Sequence, residues 1–441
     1  MSYNRKQRLN DNIKAIETAF ILDREQRTPT AHERLLLERY CGFGGLKCIL
    51  NPARELADAV HWAKSDLELF APTVELHRLI RENSKNESEY KQLMDSLKQS
   101  VLTAFYTPSA VTEALTDVLK EHQVIPEKVL EPSAGIGAFV DSVLDNNPKA
   151  DIMAFEKDLL TGKILRHLHP EQKVRIEGFE KIEKPFNDYF DLAISNIPFG
   201  DVAVFDPSYT AMKGMRALVT RRIHNYFFVK ALDTVRDGGL VAFITSQGVL
   251  NAKNNSAARF MMLYHADLVS AIRLPNNLFT ENANTEVGSD LIILQKNSQK
   301  ESLRGDDNLL DTVYNDENRI PTNNYFLEHP ERIIHTTAKL DTDPFGKPAM
   351  IYTHEDGVEG IAEDLRKMLH EDFKKNLNLN RYLGIEETKA EEVKEVEETE
   401  KIEKTEKIKP SIEEKQNDTV VSLQKPVSYT HLRAHETRSN L

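Results

Sequence analysis

The sequence predicts an α/β protein: a mostly parallel sheet with helices on both faces, preceded by a helical N-terminal domain. Two observations carry the prediction. Between residues 101 and 297, short apolar runs alternate with amphipathic stretches, the pattern of strands joined by crossover helices. Over residues 1–100, apolar residues recur three and four apart, the period of a helix with one buried face.

In the N-terminal part, NIKAIETAFILDRE and TAHERLLLERY are helical, with Thr30 as an N-cap and Gly42 as a stop. The stretch GFGGL, residues 42–46, breaks the pattern, and the sole tryptophan, Trp62, falls in ELADAVHWAKSDLELF, which is expected to be helical with the indole buried. From residue 101 the strand candidates are KVLEPS, DIMAFE, FDLAISN, GLVAFIT, DLVSAIRL and SDLIILQK. In such sheets ligands bind beyond the carboxyl ends of the strands, so the residues just after each run are the candidates for function. Residues 298–385 form a mixed C-terminal extension with one amphipathic helix, GIAEDLRKMLHEDFKKNL. Residues 386–425 are a charged, low-complexity linker without aromatics, which cannot bury enough surface to fold alone. Residues 426–441, ending VSYTHLRAHETRSNL, resemble translated sequencing-adapter read-through, so the natural protein is expected to continue past Lys425.

A chain of 441 residues with 40% hydrophobic content can bury a sizeable core. No apolar run is long enough to span a membrane, and the polar N-terminus lacks a signal-peptide core, which predicts a cytoplasmic protein. Cys41 and Cys48 are too few for a disulfide framework and are read as reduced structural thiols. The 14 histidines are scattered; even His167 and His169 lack ligand partners at metal spacing, so no metal is implied. A net charge of −13 argues against a protein that coats nucleic acid by charge alone, while leaving room for a local basic groove.

The segment KVLEPSAGIGAFVDSVL runs strand, tight turn, helix. Gly135 and Gly137 let the backbone approach a ligand where a side chain would clash, and the helix N-terminus offers free N–H groups. As a dinucleotide fingerprint the turn fails at its third glycine, where Val140 stands. Glu156 ends the next strand, 25 residues after Glu131. Alone it is a solvated strand end; after a glycine turn at that interval it is placed to hold ribose hydroxyls.

The motifs FYTP (105–108), LEPSAGIG (130–137), FE (155–156) and NIPF (196–199) resemble, in order, those of S-adenosylmethionine-dependent DNA adenine-N6 methyltransferases. The resemblance extends over residues 101–297 to modification subunits of type I restriction systems, and is greatest to large methylases of conjugative elements and plasmids, which often join this domain to a helicase. It implies a Rossmann-like class I methyltransferase sheet, S-adenosylmethionine as cofactor, DNA as substrate and a helicase domain or subunit as a further partner. Residue by residue, it implies that Phe105, Tyr106, Thr107 and Pro108 close over the methionine part of the cofactor. Pro132, Ser133, Gly135 and Gly137 form its loop, with Glu131 near the amino group and Glu156 on the ribose. In RIEGFEKI, Phe179 packs on the cofactor's adenine and Glu180 accepts from its amine, unless this stretch is a plain loop. Phe105 beside a sulfonium is physically sensible, since aromatic faces attract cations; ordinary core packing is its other reading.

In the resemblance, NIPF is the catalytic tetrapeptide. Adenine's amino nitrogen is a poor nucleophile because its lone pair is delocalised into the ring. Accepting its two N–H groups at the Asn196 side-chain oxygen and the Ile197 carbonyl favours a pyramidal, reactive nitrogen. Phe199 is the ring on which a flipped base stacks. Ile197 stands where the family has proline: it keeps the carbonyl but lacks proline's fixed φ, while Pro198 still restricts it to extended backbone. The departure bears on loop rigidity and therefore on rate, and less on mechanism. Beyond the loop, Lys213, Arg216, Arg221 and Arg222 form either a phosphate-contacting patch or a solvated face. His224 and Tyr226 open a helix whose Phe227 and Phe228 are read as core. The implied function is DNA adenine-N6 methylation in restriction-modification or protection of a mobile element. The alternatives are a catalytically weak or inactive methylase-like DNA-binding platform for a helicase, and a methyltransferase of RNA or protein glutamine. FYTP ahead of the loop favours DNA.

Overall fold

The computed structural model describes residues 4–103, 106–212, 214–280, 286–303, 307–314, 319–343 and 346–385. The chain divides into two units, Met1–Glu386 and Glu387–Leu441, and the first is compact. The second unit, with nearly all of the expected linker and tail, lies outside the described residues.

Seven strands form the main sheet: β1 (Lys128–Glu131), β2 (Asp151–Phe155), β3 (Lys173–Arg175), β4 (Phe190–Asn196), β5 (Val235–Ser246), β6 (Ala266–Leu274) and β7 (Ser289–Lys296). Their order is β3-β2-β1-β4-β5-β7-β6, and only β7 runs antiparallel to its neighbours. All six apolar runs become strands. The sequence reading lacked β3, a three-residue edge strand with charged ends, too short to show a period. Because β1 pairs with β2 on one side and β4 on the other, the direction of winding reverses between β1 and β4. The crevice that this reversal opens lies at the carboxyl ends of both strands.

The alternation of side chains along β5 divides the core. Leu240, Ala242 and Ile244 face one layer; Val241 and Phe243 face the other. The first layer contains α5 (Ser109–Glu121) and, from the segment read as an extension, a long helix at Gly357–Asn376, whose Ile361, Leu365, Leu369 and Phe373 pack against it. The second is rich in aromatic rings: Phe228 meets Phe243 at 5.2 Å between centroids. Phe227 and Phe228 are both buried, as expected for core.

The N-terminal helices α1 (Arg5–Glu25), α2 (Ala31–Leu37), α3 (Phe70–Glu82) and α4 (Glu87–Thr103) share a core with Leu160, Ile164 and Leu168 of α7 (Leu159–Leu168). Thr30 caps α2 in a full capping box with Glu33. Two local expectations are corrected. First, α2 stops at Leu37, before Gly42, whose left-handed turn (φ 68°) presents its carbonyl to the buried Asn12 amide at 2.6 Å. Second, the Trp62 segment is two 3₁₀ turns, Leu56–His61 and Lys64–Leu69, because the backbone is extended at Trp62, where the indole N–H donates to the Pro52 carbonyl at 2.9 Å. Among the described residues no helix is long and apolar enough to cross a membrane.

Candidate active site

The turn after β1 is built to bring backbone close to a ligand. The Ala134 N–H donates to the Phe155 carbonyl at 2.8 Å, tying the turn to β2, and Gly137 caps α6 (Ala138–Asn146). Gly135 and Gly137 have φ of 57° and 95°, conformations that L side chains rarely adopt. A Cβ on Gly135 would lie 2.8 Å from the Tyr106 ring, and one on Gly137 would lie 2.5 Å from His169 Nε2.

Glu156, just past β2, accepts the Gly135 N–H at 2.8 Å and the Asp158 N–H at 2.7 Å. It therefore holds the glycine turn, a task the sequence reading did not foresee. A carboxylate offers about four lone-pair sites, so acceptor capacity is left for hydroxyls. Burial, reinforced by the charge of Asp158, pushes its pKa up to about 8.

Glu131 ends β1, is 2% exposed, and its Oε2 has no hydrogen-bond partner among the described residues. Burial first, then the charges of Asp141 and Glu156, raise its pKa well above the ordinary carboxylate range. The buried Thr107 hydroxyl lacks a partner in the same sense. A buried carboxyl with one oxygen left unpartnered is costly to ionise unless a cation or donor arrives, so this wall of the crevice suits a cationic group.

The Asn196–Phe199 tetrapeptide begins where β4 ends. Ser195 Oγ donates to the Ser133 carbonyl at 3.0 Å, so the end of β4 is joined directly to the glycine turn. Asn196 pairs in register with Ile244 of β5, and the Ile197 N–H donates to the Ile244 carbonyl at 3.0 Å. The sheet ladder thus continues one residue past the strand and uses the N–H that proline would lack. Ile197 is fully buried among Leu130, Phe155 and their neighbours. Hydrogen bonding and burial thus supply constraint at the position where proline is missing. Phe199 is half-buried, its ring 6.3 Å from Phe279 in an edge contact.

One cavity of about 650 Å³ unites these parts. Tyr106, Thr107, Glu131, Pro132, Ser133, Gly135 and Glu156 line it together with Asn196, Ile197, Pro198 and Phe199. Phe179 and Glu180 line it too; Phe179 is buried against Phe155 and Phe227, and Glu180 folds over Gly178. Pro108 and Gly137 stand behind the lining as the caps of α5 and α6. Phe105 lies outside the described residues.

The four basic residues do not share one task. Arg216 forms a two-pronged pair with Asp233 at 2.5 and 2.9 Å, and Arg222 Nε meets Asp201 at 2.9 Å. Arg221 is exposed, and Lys213 lies outside the described residues.

Three contributors were missed by sequence reasoning. Asp158 caps α7 by accepting the Thr161 N–H at 2.7 Å and receives Ser96 Oγ of α4 at 2.7 Å; an Asp three residues before Thr ahead of an apolar run was the available signal. Gln99 and Ser100 of α4 reach the cavity wall, and nothing in their spacing marks them.

Comparison with known proteins agrees with this arrangement. Residues 88–391 match the N-6 DNA Methylase family. Defense against restriction protein B of Escherichia phage P1 is 29% identical over 201 residues, 44% of this chain and 8% of that protein. Type II methyltransferase M.XamI of Xanthomonas campestris pv. amaranthicola is 25% identical over 173 residues, 36% of this chain and 33% of that protein. The chain thus spans a minor part of both curated relatives. A type I restriction-modification methyltransferase subunit from Streptococcus thermophilus superposes with TM-score 0.38 and 14% identity over 67% of this chain and 79% of that one, a likeness too loose to carry weight. The sheet is the Rossmann-like class I methyltransferase sheet that the sequence motifs implied. With its glycine turn and its Asn-Ile-Pro-Phe loop meeting in one crevice, and with most of its length matched, this chain belongs to the N-6 DNA methylase family.

Proposed function

We propose that the chain transfers a methyl group from S-adenosylmethionine to N6 of adenine in DNA, in restriction-modification or protection of a mobile element, with a helicase domain or subunit as partner. The observation that carries the reading is the shared cavity: Glu131, Gly135 and Glu156 line it with Asn196–Phe199. When bound, S-adenosylmethionine supplies an electrophilic methyl group on a cationic sulfur. The residues fit it: the unpartnered Glu131 Oε2 suits its α-ammonium group, Gly135 leaves room for close backbone approach, and Glu156 retains acceptor capacity for ribose. Tyr106 and Thr107 would flank the methionine part, and Phe179 and Glu180 the adenine. Arg221 and Lys213 remain as phosphate contacts.

On the substrate side, the Asn196 side-chain oxygen and the Ile197 carbonyl accept the two N–H groups of the target amine, raising its nucleophilicity without a strong general base. Phe199 gives the extruded base an aromatic face. Incubating the protein with cofactor labelled in its methyl group, and with DNA, RNA and protein in separate arms, tests the reading. Label recovered as N6-methyl-2′-deoxyadenosine from digested DNA supports it; label confined to RNA or protein, or none transferred, contradicts it.

A further inference from the structure

The segment after the tetrapeptide, residues 201–206, is tied down at three points. Arg222 Nε meets Asp201 at 2.9 Å, and the Val204 N–H donates to the Thr220 carbonyl at 2.8 Å. The Asp206 carboxylate is buried, accepting the Tyr226 hydroxyl at 2.7 Å, the Ser208 N–H at 2.8 Å and Lys230 Nζ at 3.2 Å. Val204 packs on the aromatic core and Asp206 is buried, so Phe205 between them is held outward.

It is held at a telling place. Phe205 is 78% exposed and nearby Val202 61%, yet both line the cavity that contains Asn196 and Phe199. A fixed, exposed aromatic ring at the mouth of a catalytic cavity adds nothing to the core. The adjoining cations Arg216 and Arg222 are already committed to Asp233 and Asp201, so contact at this rim falls to apolar surface. Every nucleobase has a flat face that stacks on such a ring regardless of sequence.

Building on the proposed function, we propose that Phe205 is a rim stacking residue, receiving a nucleobase of the substrate strand at the cavity mouth, and that Arg222 is a positioning residue that fixes the rim loop through Asp201.

The test compares the full chain with Phe205→Ala, Phe205→Tyr and Arg222→Gln. The probe is an adenine-rich single-stranded oligonucleotide carrying one 2-aminopurine, whose fluorescence is quenched on stacking; cofactor affinity is measured alongside. Phe205→Ala is expected to weaken oligonucleotide binding about 10-fold, within the range of one base stacked on one ring, and to lose quenching. Cofactor affinity should be unchanged, and Phe205→Tyr should restore both signals. Arg222→Gln should reduce quenching while leaving the ring in place. Wild-type affinity and quenching in Phe205→Ala overturn the proposal, even if methyl transfer to DNA is intact and the proposed function stands. Quenching that depends on Phe205 in a protein that transfers no methyl group keeps the rim assignment and removes the enzyme. A wild-type chain that binds no oligonucleotide overturns both.

Discussion

On the glycine-turn side of the cavity, Glu131 is buried and Glu156 half-buried, their pKa values are raised, and the turn is fixed by hydrogen bonds to β2 and its end. On the side of the tetrapeptide, Phe199 is half-buried and Phe205 stands in solvent, while only the strand end beneath them is fixed by the ladder. One wall is complete except for a positive charge; the other is complete except for a flat partner. The difference teaches that the two ligands should obey different physics. The first is recognised by charge in a low-dielectric pocket, where an unpaired carboxyl is strongly perturbed, and the second by stacking and amide hydrogen bonds nearer to water.

The largest effect that would sharpen this contrast belongs to Glu131. Glu131→Gln keeps the shape and removes the charge, and a hydrogen bond to a charged group is worth roughly 1.5–3 kcal/mol, so cofactor affinity should fall about 10- to 100-fold by calorimetry. Binding of an oligonucleotide should be unaffected. Equal cofactor affinity in the variant would break the contrast.

The second effect is a pH dependence whose sign follows from burial. Glu131 and Glu156 have raised pKa values, so the folded state holds protons that the unfolded chain has released. For Glu156 the stability is fully present below 4.5 and is lost as pH rises towards about 8. Glu131 acts in the same direction. Thermal melts of the ligand-free protein should therefore show stability declining across that window, less steeply in Glu131→Gln. A cationic ligand stabilises the ionised carboxylate, so cofactor binding near neutral pH should release protons, seen as a dependence of the calorimetric heat on buffer ionisation. Proton uptake on binding would contradict the assignment of Glu131.

The smallest effect concerns Ile197. Ile197→Pro removes the N–H that pairs with the Ile244 carbonyl and trims a buried side chain, costing about 1 kcal/mol for the hydrogen bond. Melting should fall by a few degrees and turnover should change by less than about fivefold, since one such bond is worth only about 1 kcal/mol. A large gain in turnover would mean that the ladder does not constrain the loop.

The two walls also differ in how far they can be read without coordinates. Glu131, Gly135 and Glu156 are legible because backbone approach demands glycine and strand ends fall at regular intervals. The Asn196–Phe199 loop is legible as chemistry, but the reason why isoleucine suffices is not: the partner of its N–H, Ile244, is 47 residues away. The strand β3 escapes because three residues hold no period. Asp233 and Asp201, which claim Arg216 and Arg222, are brought to them only by the fold, so a charge cluster in the sequence is not a patch on the surface. Phe205 reads as one more apolar residue until its neighbours are seen to turn inward.

The central claim is that the two walls serve two ligands at one reacting point, and Asn196→Ala measures this most directly. Cofactor affinity and methyl transfer to DNA would be determined side by side for the wild-type and variant chains. Transfer in the variant is expected to fall by at least about 10²-fold, the usual cost of losing one preorganised polar contact in the transition state, with cofactor affinity unchanged. Undiminished transfer, or a matching loss of cofactor binding, would contradict it.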